Sequence, residues 1–346
     1  MAESPIEQVD LCKATVVGCG GWGTALALVL ASNGHEVSLW GVEPGYVEEM
    51  ARTRRNPRYL PDVPMPDSVR LSSELAECVP DADVVVSATP TIYLRSVCQG
   101  LQAHLRPDHL VVNVSKGIEE GTNHLCSQVI TDVCGTRFLL GGLFGPSHAE
   151  EVAHRRPTTV VATSTDPALA ERIQGIFMTP AFRVYTNTDV IGVELGAALK
   201  NVIAIAAGIC DGLEFGDNAK SALLTRGLAE IARLGVAMGA CPETFAGLTG
   251  LGDLITTCVS PFGRNRAVGM RIAAGETLEE ITGGMAQVAE GVRTTLSACA
   301  LADRHAVPMP ITRAVHAVLF EGEDPRAAAT ALMGRAPRPE QETRGA

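Results

Sequence analysis

The sequence predicts an α/β domain with a mostly parallel sheet, followed by an all-α C-terminal domain. The chain has 346 residues, more than one hydrophobic core usually organises, so two domains are expected. Its first half alternates short, continuously apolar runs with helical segments, a pattern typical of parallel strands that are buried on both faces. Its second half keeps only helical periodicity. These observations place one domain at residues 1–190 and the other at residues 191–346.

Seven apolar runs predict the strands of the first domain. The first run leads into a glycine-rich turn and a helix at residues 22–32, which Asn33-Gly34 ends as a C-cap. A loop and a basic helix at residues 46–55 follow the second run, and a Pro-rich passage precedes the third. The predicted strands are residues 14–18, 36–40, 83–88, 109–114, 138–143, 158–163 and 182–185.

The second domain is predicted to contain helices and no strands. The polar, Pro-containing tail after residue 334 is expected to pack loosely. The predicted helices are residues 195–209, 219–238, 244–248, 264–274, 278–281, 292–305 and 311–320.

The composition excludes several classes of protein. A formal net charge of −11 argues against a broad nucleic-acid surface, so positive charge that binds an anionic metabolite must be local. The ten cysteines form no CxxC pair and the histidines are scattered, which argues against a disulfide scaffold and a metal site. The N-terminus does not resemble a signal peptide, and Lys200 and Asn201 interrupt the most apolar stretch. We therefore expect a cytoplasmic protein without an integral membrane segment.

A glycine fingerprint follows the first predicted strand. Residues 18–23 form a GxGxxG motif, with Gly18, Gly20 and Gly23 at its fixed positions. The first glycine allows a tight turn, the second lets the backbone approach a pyrophosphate, and the third lets helix and strand pack closely. The motif alone is a weak signal, but it stands in the required strand–turn–helix context. The first domain is therefore predicted to be Rossmann-type and to bind NAD or NADP.

The choice between NAD and NADP stays open at this point. An acid after the second strand usually accepts the ribose hydroxyls, and Glu43 stands there, although a solvated turn residue before Pro44 explains it equally well. Arg52, Arg54 and Arg55 are the alternative, because an arginine there could reach a 2′-phosphate.

Unusual residues follow two later strands of the predicted sheet. Ligands of an open parallel sheet bind at the carboxyl ends of its strands. Lys116 follows one apolar strand and precedes a glycine, and Gly145 and Ser147 follow the next strand. A solvated loop lysine and an ordinary Gly-Pro turn are the alternative interpretations of these positions.

Charged residues also occur in apolar segments of the second domain. Lys200 lies in an almost wholly apolar helix, and a desolvated lysine has a lowered pKa that suits proton transfer near neutral pH. Asp253 lies among glycines, and Arg264 begins a helix, where free amides and a guanidinium favour a phosphate. The alternatives are a lysine that snorkels out of an interdomain face and capping residues at the surface.

Taken together, these segments resemble the NAD(P)-dependent glycerol-3-phosphate dehydrogenase family of bacterial type. The resemblance covers residues 13–335 in order. Several long sequence motifs with the spacing of the family are more specific than the glycine fingerprint. These motifs are Val-Gly-Cys-Gly-Gly-Trp-Gly-Thr-Ala-Leu at 17–26, Asn-Gly-His-Glu-Val at 33–37, Ser-Lys-Gly at 115–117, Gly-Pro-Ser at 145–147, Ala-Leu-Lys-Asn-Val-Ile-Ala-Ile at 198–205, Leu-Thr-Arg-Gly-Leu-Ala-Glu at 224–230, Gly-Leu-Gly-Asp-Leu at 250–254, Arg-Asn-Arg at 264–266 and Glu-Gly-Val-Arg-Thr-Thr at 290–295.

The resemblance implies an enzyme that interconverts dihydroxyacetone phosphate and sn-glycerol 3-phosphate, a precursor of phospholipids, in a site between the two domains. Lys200 matches the catalytic lysine, which protonates the carbonyl oxygen during reduction. Arg264 and Asn265 are expected at the phosphate. The implied substrate-binding residues are Lys116, Gly145, Ser147, Lys200, Asn201, Asp253, Thr257, Gly263, Arg264 and Asn265. The cofactor-binding residues are then Gly18, Gly20 and Gly23 of the fingerprint with Gly21, Trp22, Val42, Lys116, Ala149, Arg264, Val288 and Glu290.

Three positions depart from the family pattern. Gly263 replaces a common serine, which removes one side-chain contact to substrate. Val42 replaces a residue that is often polar or basic and faces the adenosine ribose. Ser147 replaces the commoner threonine and keeps the hydroxyl.

Two rival functions remain at this stage. Another dehydrogenase with the same two-domain architecture, acting on a hydroxy acid or a nucleotide sugar, should lack the sequence motifs at 250–253 and 264–266. A nicotinamide-binding module without chemistry would keep the fingerprint but need neither Lys116 nor Lys200. The expected partner is a small-molecule substrate, with no nucleic acid and no metal. A homodimer is compatible with the sequence, which leaves oligomeric state, feedback control and physiological direction open.

Overall fold

The computed structural model describes residues 10–285, 287–337 and 339–340, so the outer ends of both predicted domains lie outside the described residues. The described part contains ten strands. They are β1 Lys13–Val17, β2 Glu36–Trp40, β3 Arg55–Asn56, β4 Leu60–Pro64, β5 Val69–Ser72, β6 Val84–Ser87, β7 Leu110–Asn113, β8 Leu139–Phe144, β9 Thr158–Thr163 and β10 Phe182–Asn187.

Eight of these strands form one sheet in the order β10-β9-β8-β7-β6-β1-β2-β5, and β3 and β4 form a separate pair. Neighbouring strands of the sheet are parallel except β8 and β9, which confirms the predicted mostly parallel sheet. The run β5-β2-β1-β6-β7-β8 has the 3-2-1-4-5-6 order of a Rossmann-type sheet. The order reverses between β1 and β6, so a ligand is expected at the carboxyl ends of these two strands.

Each of the seven predicted strands overlaps an observed strand, with ends that differ by no more than two residues. β6 and β7 are buried along their whole length, which accounts for their continuous hydrophobicity. The prediction missed β5 and the β3–β4 pair. β5 is an edge strand that buries Val69 and Ser72 and exposes Arg70 between them, so it contains no continuous apolar run. The β3–β4 pair falls in the Pro-rich passage that was interpreted as a loop.

Helices connect the strands and cover the sheet. The helix after β1 ends at Asn33, and Gly34 has a φ of 86°, which agrees with the predicted C-cap. The helices of this half are α1 Gly21–Ser32, α2 Pro44–Thr53, α3 Leu75–Cys78, α4 Thr91–Leu101, α5 Cys126–Cys134, α6 Ala149–Ala153 and α7 Pro167–Phe177.

From residue 190 onward the described residues contain helices and no strand. The division into two domains at this point stays a prediction. The helices are α8 Val190–Gly212, α9 Gly216–Ala237, α10 Asp253–Val259, α11 Arg264–Ala273, α12 Leu278–Gly283, α13 Glu290–Arg304, α14 Pro310–Phe320 and α15 Pro325–Met333.

One predicted helix of this half is wrong in type. Residues 244–248 were expected to be α-helical, but the chain forms a 3₁₀ helix at Pro242–Ala246 and a π-helical turn at Leu248–Gly252. Gly247, Gly250 and Gly252 lower the helix propensity of this segment, and Gly250 packs directly on backbone, because a Cβ there would lie 2.0 Å from the Phe245 carbonyl oxygen. The turn leads straight into α10, so it sets the direction in which that helix begins.

Helix α8 is the centre of the helical half and is buried over almost its whole length. It crosses α11 at Gly208 and Gly269, where a Cβ on either glycine would lie 2.0 Å from a carbonyl oxygen of the other helix. By length and composition α8 could cross a membrane, but 83% of its most apolar window is buried inside the protein. The core helix of a folded protein has the same properties.

Candidate active site

The fingerprint turn after β1 fits a pyrophosphate. Gly18 has a φ of 124°, and a Cβ there would lie 2.6 Å from the Ala88 carbonyl oxygen. A Cβ on Gly23 would lie 1.9 Å from the Gly18 carbonyl oxygen, so α1 and β1 pack through these two glycines. Gly20 instead faces open space and begins α1 with no side-chain cap. The free amides of α1 therefore point to a place where a phosphate can approach the backbone.

Two other predicted cofactor residues, Gly21 and Trp22, belong to this turn, and a third, Val42, does not. Gly21 faces Ala149 at the start of α6, because a Cβ on Gly21 would lie 3.5 Å from the Ala149 Cβ. The Trp22 ring packs on Phe182 at a centroid distance of 6.5 Å, and its indole Nε1 is buried without a hydrogen-bond partner. Val42 lies apart from them at the end of β2, with 71% of its surface exposed.

Two lysines meet one carboxylate where the sheet faces the helical half. Lys116 follows β7, Lys200 lies in α8, and Asp253 begins α10. The Asp253 Oδ2 lies 3.1 Å from the Lys116 Nζ, and its Oδ1 forms an ion pair with the Lys200 Nζ. The Lys200 Nζ also donates to the Thr257 Oγ1 at 2.7 Å. This lysine–aspartate cluster, formed by residues 116, 200 and 253, carries a net charge of +1 when all three groups are ionised.

Burial brings the Lys200 ammonium close to neutrality. Lys200 is 4% exposed and Asp253 is 2% exposed. Burial lowers the pKa of Lys200 to about 7, although Asp253 opposes this shift, and the charge of Lys116 lowers the pKa further. Burial alone would raise the pKa of Asp253, but the two lysines hold it below its usual range. Lys200 can therefore both give and take a proton near neutral pH.

The charged partner of Lys200 was not apparent from its helix. Sequence analysis placed Lys200 in an almost wholly apolar helix, and its charged partner Asp253 reaches it from α10. Asp253 was expected to bind the substrate, but its contact with both lysines was not expected.

Gly145 and Ser147 lie at the same cluster. Gly145 follows β8 with a φ of 138°, and its carbonyl oxygen accepts a hydrogen bond from the Lys116 Nζ at 2.7 Å. The Ser147 hydroxyl donates to the same carbonyl at 2.9 Å and lies 3.4 Å from the Lys116 Nζ. The carboxyl ends of β7 and β8 thus present their polar groups together.

Two asparagines connect the cluster to α11 and α13. The Asn201 Nδ2 donates to the Lys116 carbonyl oxygen at 3.3 Å, and its Oδ1 accepts from the Asn265 Nδ2 at 2.9 Å. The Asn265 Oδ1 in turn accepts from the Gly291 amide at 2.9 Å. The Asn265 Nδ2 carries a second N–H, so it could donate to a phosphate while both of these bonds are kept.

The remaining predicted residues lie at the starts of α11 and α13. Gly263 caps α11 with its backbone, and Arg264 is exposed beside it, with its Nη1 donating to the Val288 carbonyl oxygen at 3.1 Å. Glu290 begins α13 and accepts a hydrogen bond from the Thr91 amide at 2.8 Å. Thr91 begins α4 just beyond β6, so Glu290 joins the helical half to the strand where the sheet order reverses.

Sequence reasoning missed one residue of this cleft. His148 packs on Phe262 at a centroid distance of 5.8 Å, and its Nε2 is buried without a hydrogen-bond partner. Burial, with the charges of both cluster lysines, lowers the pKa of His148. Its position between Ser147 and Ala149, two predicted site residues, was the available signal.

The described residues contain no group of three or more histidine, cysteine, aspartate or glutamate side chains arranged to hold a metal ion. All ten cysteines are free thiols, and most of them are buried. A hollow of about 690 Å³ lies behind α1 and is lined by none of the predicted site residues. The chemistry therefore concentrates in the cleft between the sheet and the helical half.

Comparison with known proteins identifies the family to which the chain belongs. The family model described as NAD-dependent glycerol-3-phosphate dehydrogenase N-terminus matches residues 13–170, and the model of the C-terminus matches residues 189–330. A relative named glycerol-3-phosphate dehydrogenase (NAD(P)+) 1, from Salinibacter ruber, is 50% identical over 94% of this chain and 96% of its own length. A relative of the corresponding name from Geobacillus kaustophilus is 51% identical over 94% and 96%.

Solved structures extend the comparison to the fold. A crystal structure of glycerol-3-phosphate dehydrogenase from Coxiella burnetii superimposes with a TM-score of 0.90 at 37% identity, covering 94% of this chain and 99% of that one. The corresponding structure from Saccharomyces cerevisiae gives a TM-score of 0.79 at 28% identity, covering 93% and 99%.

Proposed function

The chain belongs to the NAD-dependent glycerol-3-phosphate dehydrogenase family, and we propose that Lys200 is the proton donor and acceptor with which it interconverts dihydroxyacetone phosphate and sn-glycerol 3-phosphate. The observation that carries this proposal is the lysine–aspartate cluster at the carboxyl ends of β7 and β8. A buried lysine with a pKa of about 7 is suited to proton transfer in both directions.

The proton and the hydride reach opposite ends of the substrate carbonyl. A bound nicotinamide dinucleotide supplies a hydride to the carbonyl carbon during reduction and accepts it during oxidation. As the carbon gains the hydride, the π electron pair moves to the oxygen, and the Lys200 ammonium gives that oxygen a proton. Lys200 is left as a neutral amine and regains a proton from solvent. In the oxidative direction the neutral amine removes the hydroxyl proton.

Neighbouring groups support the charge that develops on the oxygen. The Lys116 ammonium is a second cation beside Lys200, and Asp253 holds both lysines in place. Preorganised donors of this kind contribute roughly 10²–10³ in rate. Arg264 and the free amides at the start of α11 are suited to the phosphate of the substrate.

The cellular setting follows from the same proposal. The free cysteines suit a reducing cytoplasm, and the product suits a supply of glycerol 3-phosphate for phospholipids. We infer one domain on either side of residue 190 with the substrate between them, and a homodimer is compatible with this arrangement.

The test is the loss of reduced-nicotinamide absorbance when dihydroxyacetone phosphate is added with NADH and, separately, with NADPH. We expect turnover with at least one cofactor and none with a 2-keto acid or a nucleotide sugar. Folded protein that binds a dinucleotide but reduces no dihydroxyacetone phosphate would contradict the proposal and favour another dehydrogenase of the same plan.

A further inference from the structure

We propose that His148 binds the primary hydroxyl group of dihydroxyacetone phosphate and thereby makes the enzyme select this ketone over one that lacks the hydroxyl. The inference deepens the proposed function and rests on it. In that function Lys200 serves the carbonyl oxygen of the substrate, and Arg264 is suited to its phosphate. The primary hydroxyl is the third polar group of the substrate, and its partner must lie in the same cleft.

The backbone of His148 is fixed, while its side chain is not used to hold the local structure. His148 is the residue before α6, and its carbonyl oxygen accepts hydrogen bonds from the Glu151 and Val152 amides at 3.1 Å and 3.0 Å. Its side chain makes no capping hydrogen bond to that helix. The position of the residue is therefore set by secondary structure, and the imidazole is available to another partner.

The sequence neighbours of His148 belong to the two reacting sides of the cleft. The Ser147 hydroxyl lies 3.4 Å from the Lys116 Nζ of the lysine–aspartate cluster. Ala149 faces the fingerprint turn, because a Cβ on Gly21 would lie 3.5 Å from the Ala149 Cβ. A substrate that exchanges a proton with the cluster and a hydride with a bound dinucleotide lies between these two places. His148 therefore borders the space that the substrate occupies.

One nitrogen of this imidazole is buried and unpartnered. The ring packs on Phe262 at a centroid distance of 5.8 Å and an interplanar angle of 55°, a contact that holds it without a hydrogen bond. The His148 Nε2 is shielded from solvent and has no hydrogen-bond partner among the described residues. Because buried polar groups in proteins are nearly always hydrogen-bonded, such an atom beside a substrate cleft points to a partner on the substrate.

The chemistry of the imidazole favours the hydroxyl over the phosphate. Burial, followed by the charges of Lys200 and Lys116, lowers the pKa of His148, so the ring is neutral near pH 7. The Nε2 of a neutral imidazole donates or accepts according to its tautomer, and a hydroxyl can be its partner in either case. A phosphate oxygen only accepts, and its charge is better matched by Arg264 and the free amides of α11.

The test compares two ketones in the whole enzyme. One is dihydroxyacetone phosphate, and the other is hydroxyacetone phosphate, in which a methyl group replaces the CH₂OH group. His148→Phe keeps an aromatic ring against Phe262 and removes both ring nitrogens. We expect kcat/KM for dihydroxyacetone phosphate to fall by about tenfold or more, because its hydroxyl is left unpaired. For hydroxyacetone phosphate, kcat/KM should change by less than about twofold, because this ketone has no hydroxyl to lose.

Three matched variants complete the comparison. His148→Ala opens space where His148→Phe fills it, and it should change the ratio of the two kcat/KM values in the same direction. His148→Gln keeps a donor and an acceptor and should recover part of the preference for dihydroxyacetone phosphate. His154→Gln changes an exposed histidine at the other end of α6 and should leave both ketones unaffected.

The ratio of kcat/KM for the two ketones decides the inference. The intrinsic reactivities of the ketones are the same for every variant, so they cancel when ratios are compared. Equal losses for both ketones in folded His148→Phe and His148→Ala, or an unchanged ratio, would overturn the inference. Turnover of dihydroxyacetone phosphate with such a result would count against the inference alone, whereas an unmodified enzyme that does not reduce dihydroxyacetone phosphate would contradict the proposed function.

Discussion

Replacing Asp253 by asparagine removes the one carboxylate that holds the two cluster lysines. The amide has the same shape, but Lys116 and Lys200 then face each other with two positive charges and no counterion. Leaving a buried charge unpaired costs about 3–5 kcal/mol. Loss of the Lys200 proton relieves part of this cost. Because one pKa unit corresponds to about 1.36 kcal/mol, a third of the cost lowers the pKa of Lys200 by about one unit.

The shift has opposite effects on the two directions of the reaction. Reduction needs the Lys200 ammonium, which is present below the pKa, and oxidation needs the neutral amine, which is present above it. In the unmodified enzyme the pKa of about 7 leaves roughly half of Lys200 protonated at pH 7. A pKa near 6 leaves about a tenth, so reduction at pH 7 should fall at least about fivefold. The pH profiles of kcat for reduction and for oxidation should both move to lower pH by about one unit.

The measurement is kcat in both directions from about pH 5 to about pH 9, with the melting temperature recorded at each pH. Asp303→Asn is the control, because Asp303 pairs with Arg313 at an exposed site outside the cleft. Its pH profile should match that of the unmodified enzyme. If kcat of folded Asp253→Asn depends on pH in the same way as kcat of the unmodified enzyme in both directions, Asp253 does not set the protonation of Lys200.

Three further substitutions test other parts of the site. Lys200→Ala should lower kcat by at least about two orders of magnitude while NADH still binds, and near-normal turnover would remove Lys200 from its assigned role. Gly20→Ala should keep the melting temperature of the unmodified enzyme but bind dinucleotide poorly, because the new methyl group occupies the open approach to α1. Gly23→Ala should bind poorly and also unfold at a lower temperature, because its Cβ would meet the Gly18 carbonyl oxygen. Equal melting temperatures of the two variants would contradict this difference. Gly263→Ser should lose stability without gaining affinity for substrate, since a Cβ there would lie 2.8 Å from the Thr257 carbonyl oxygen, and tighter substrate binding would show that the loop can adapt.

Local patterns were sufficient to predict most of the sheet. Strands such as β6 and β7 are buried on both faces, so their hydrophobicity is continuous and independent of what they pack against. β5 could not be found in this way, because an edge strand with one solvated face shares its pattern with many loops. The 3₁₀ and π turns before α10 depend on the contact of Gly250 with the Phe245 backbone, which a pattern of neighbours in sequence does not contain.

The candidate site was predictable residue by residue but not in its contacts. A lysine in an apolar helix indicated proton chemistry at Lys200, and the glycine pattern indicated the phosphate turn. The pairs that give these residues their properties join distant parts of the chain, as in Asn201 with Asn265. His148 was missed because its position between Ser147 and Ala149 reveals neither that its ring is buried nor that its Nε2 lacks a hydrogen-bond partner.

The protonation of Lys200 depends on contact between the two halves of the protein. Lys200 and Asp253 both belong to helices beyond residue 190 and form an ion pair of zero net charge. Lys116 follows a strand of the sheet, and its charge adds to burial in lowering the pKa of Lys200. Without Lys116 the proton would be held more tightly by the Asp253 carboxylate, although burial would still lower the pKa of Lys200. The sheet therefore adds, through the charge of Lys116, to the lowering of the Lys200 pKa that burial causes, and both halves of the protein contribute to the chemistry at the cleft.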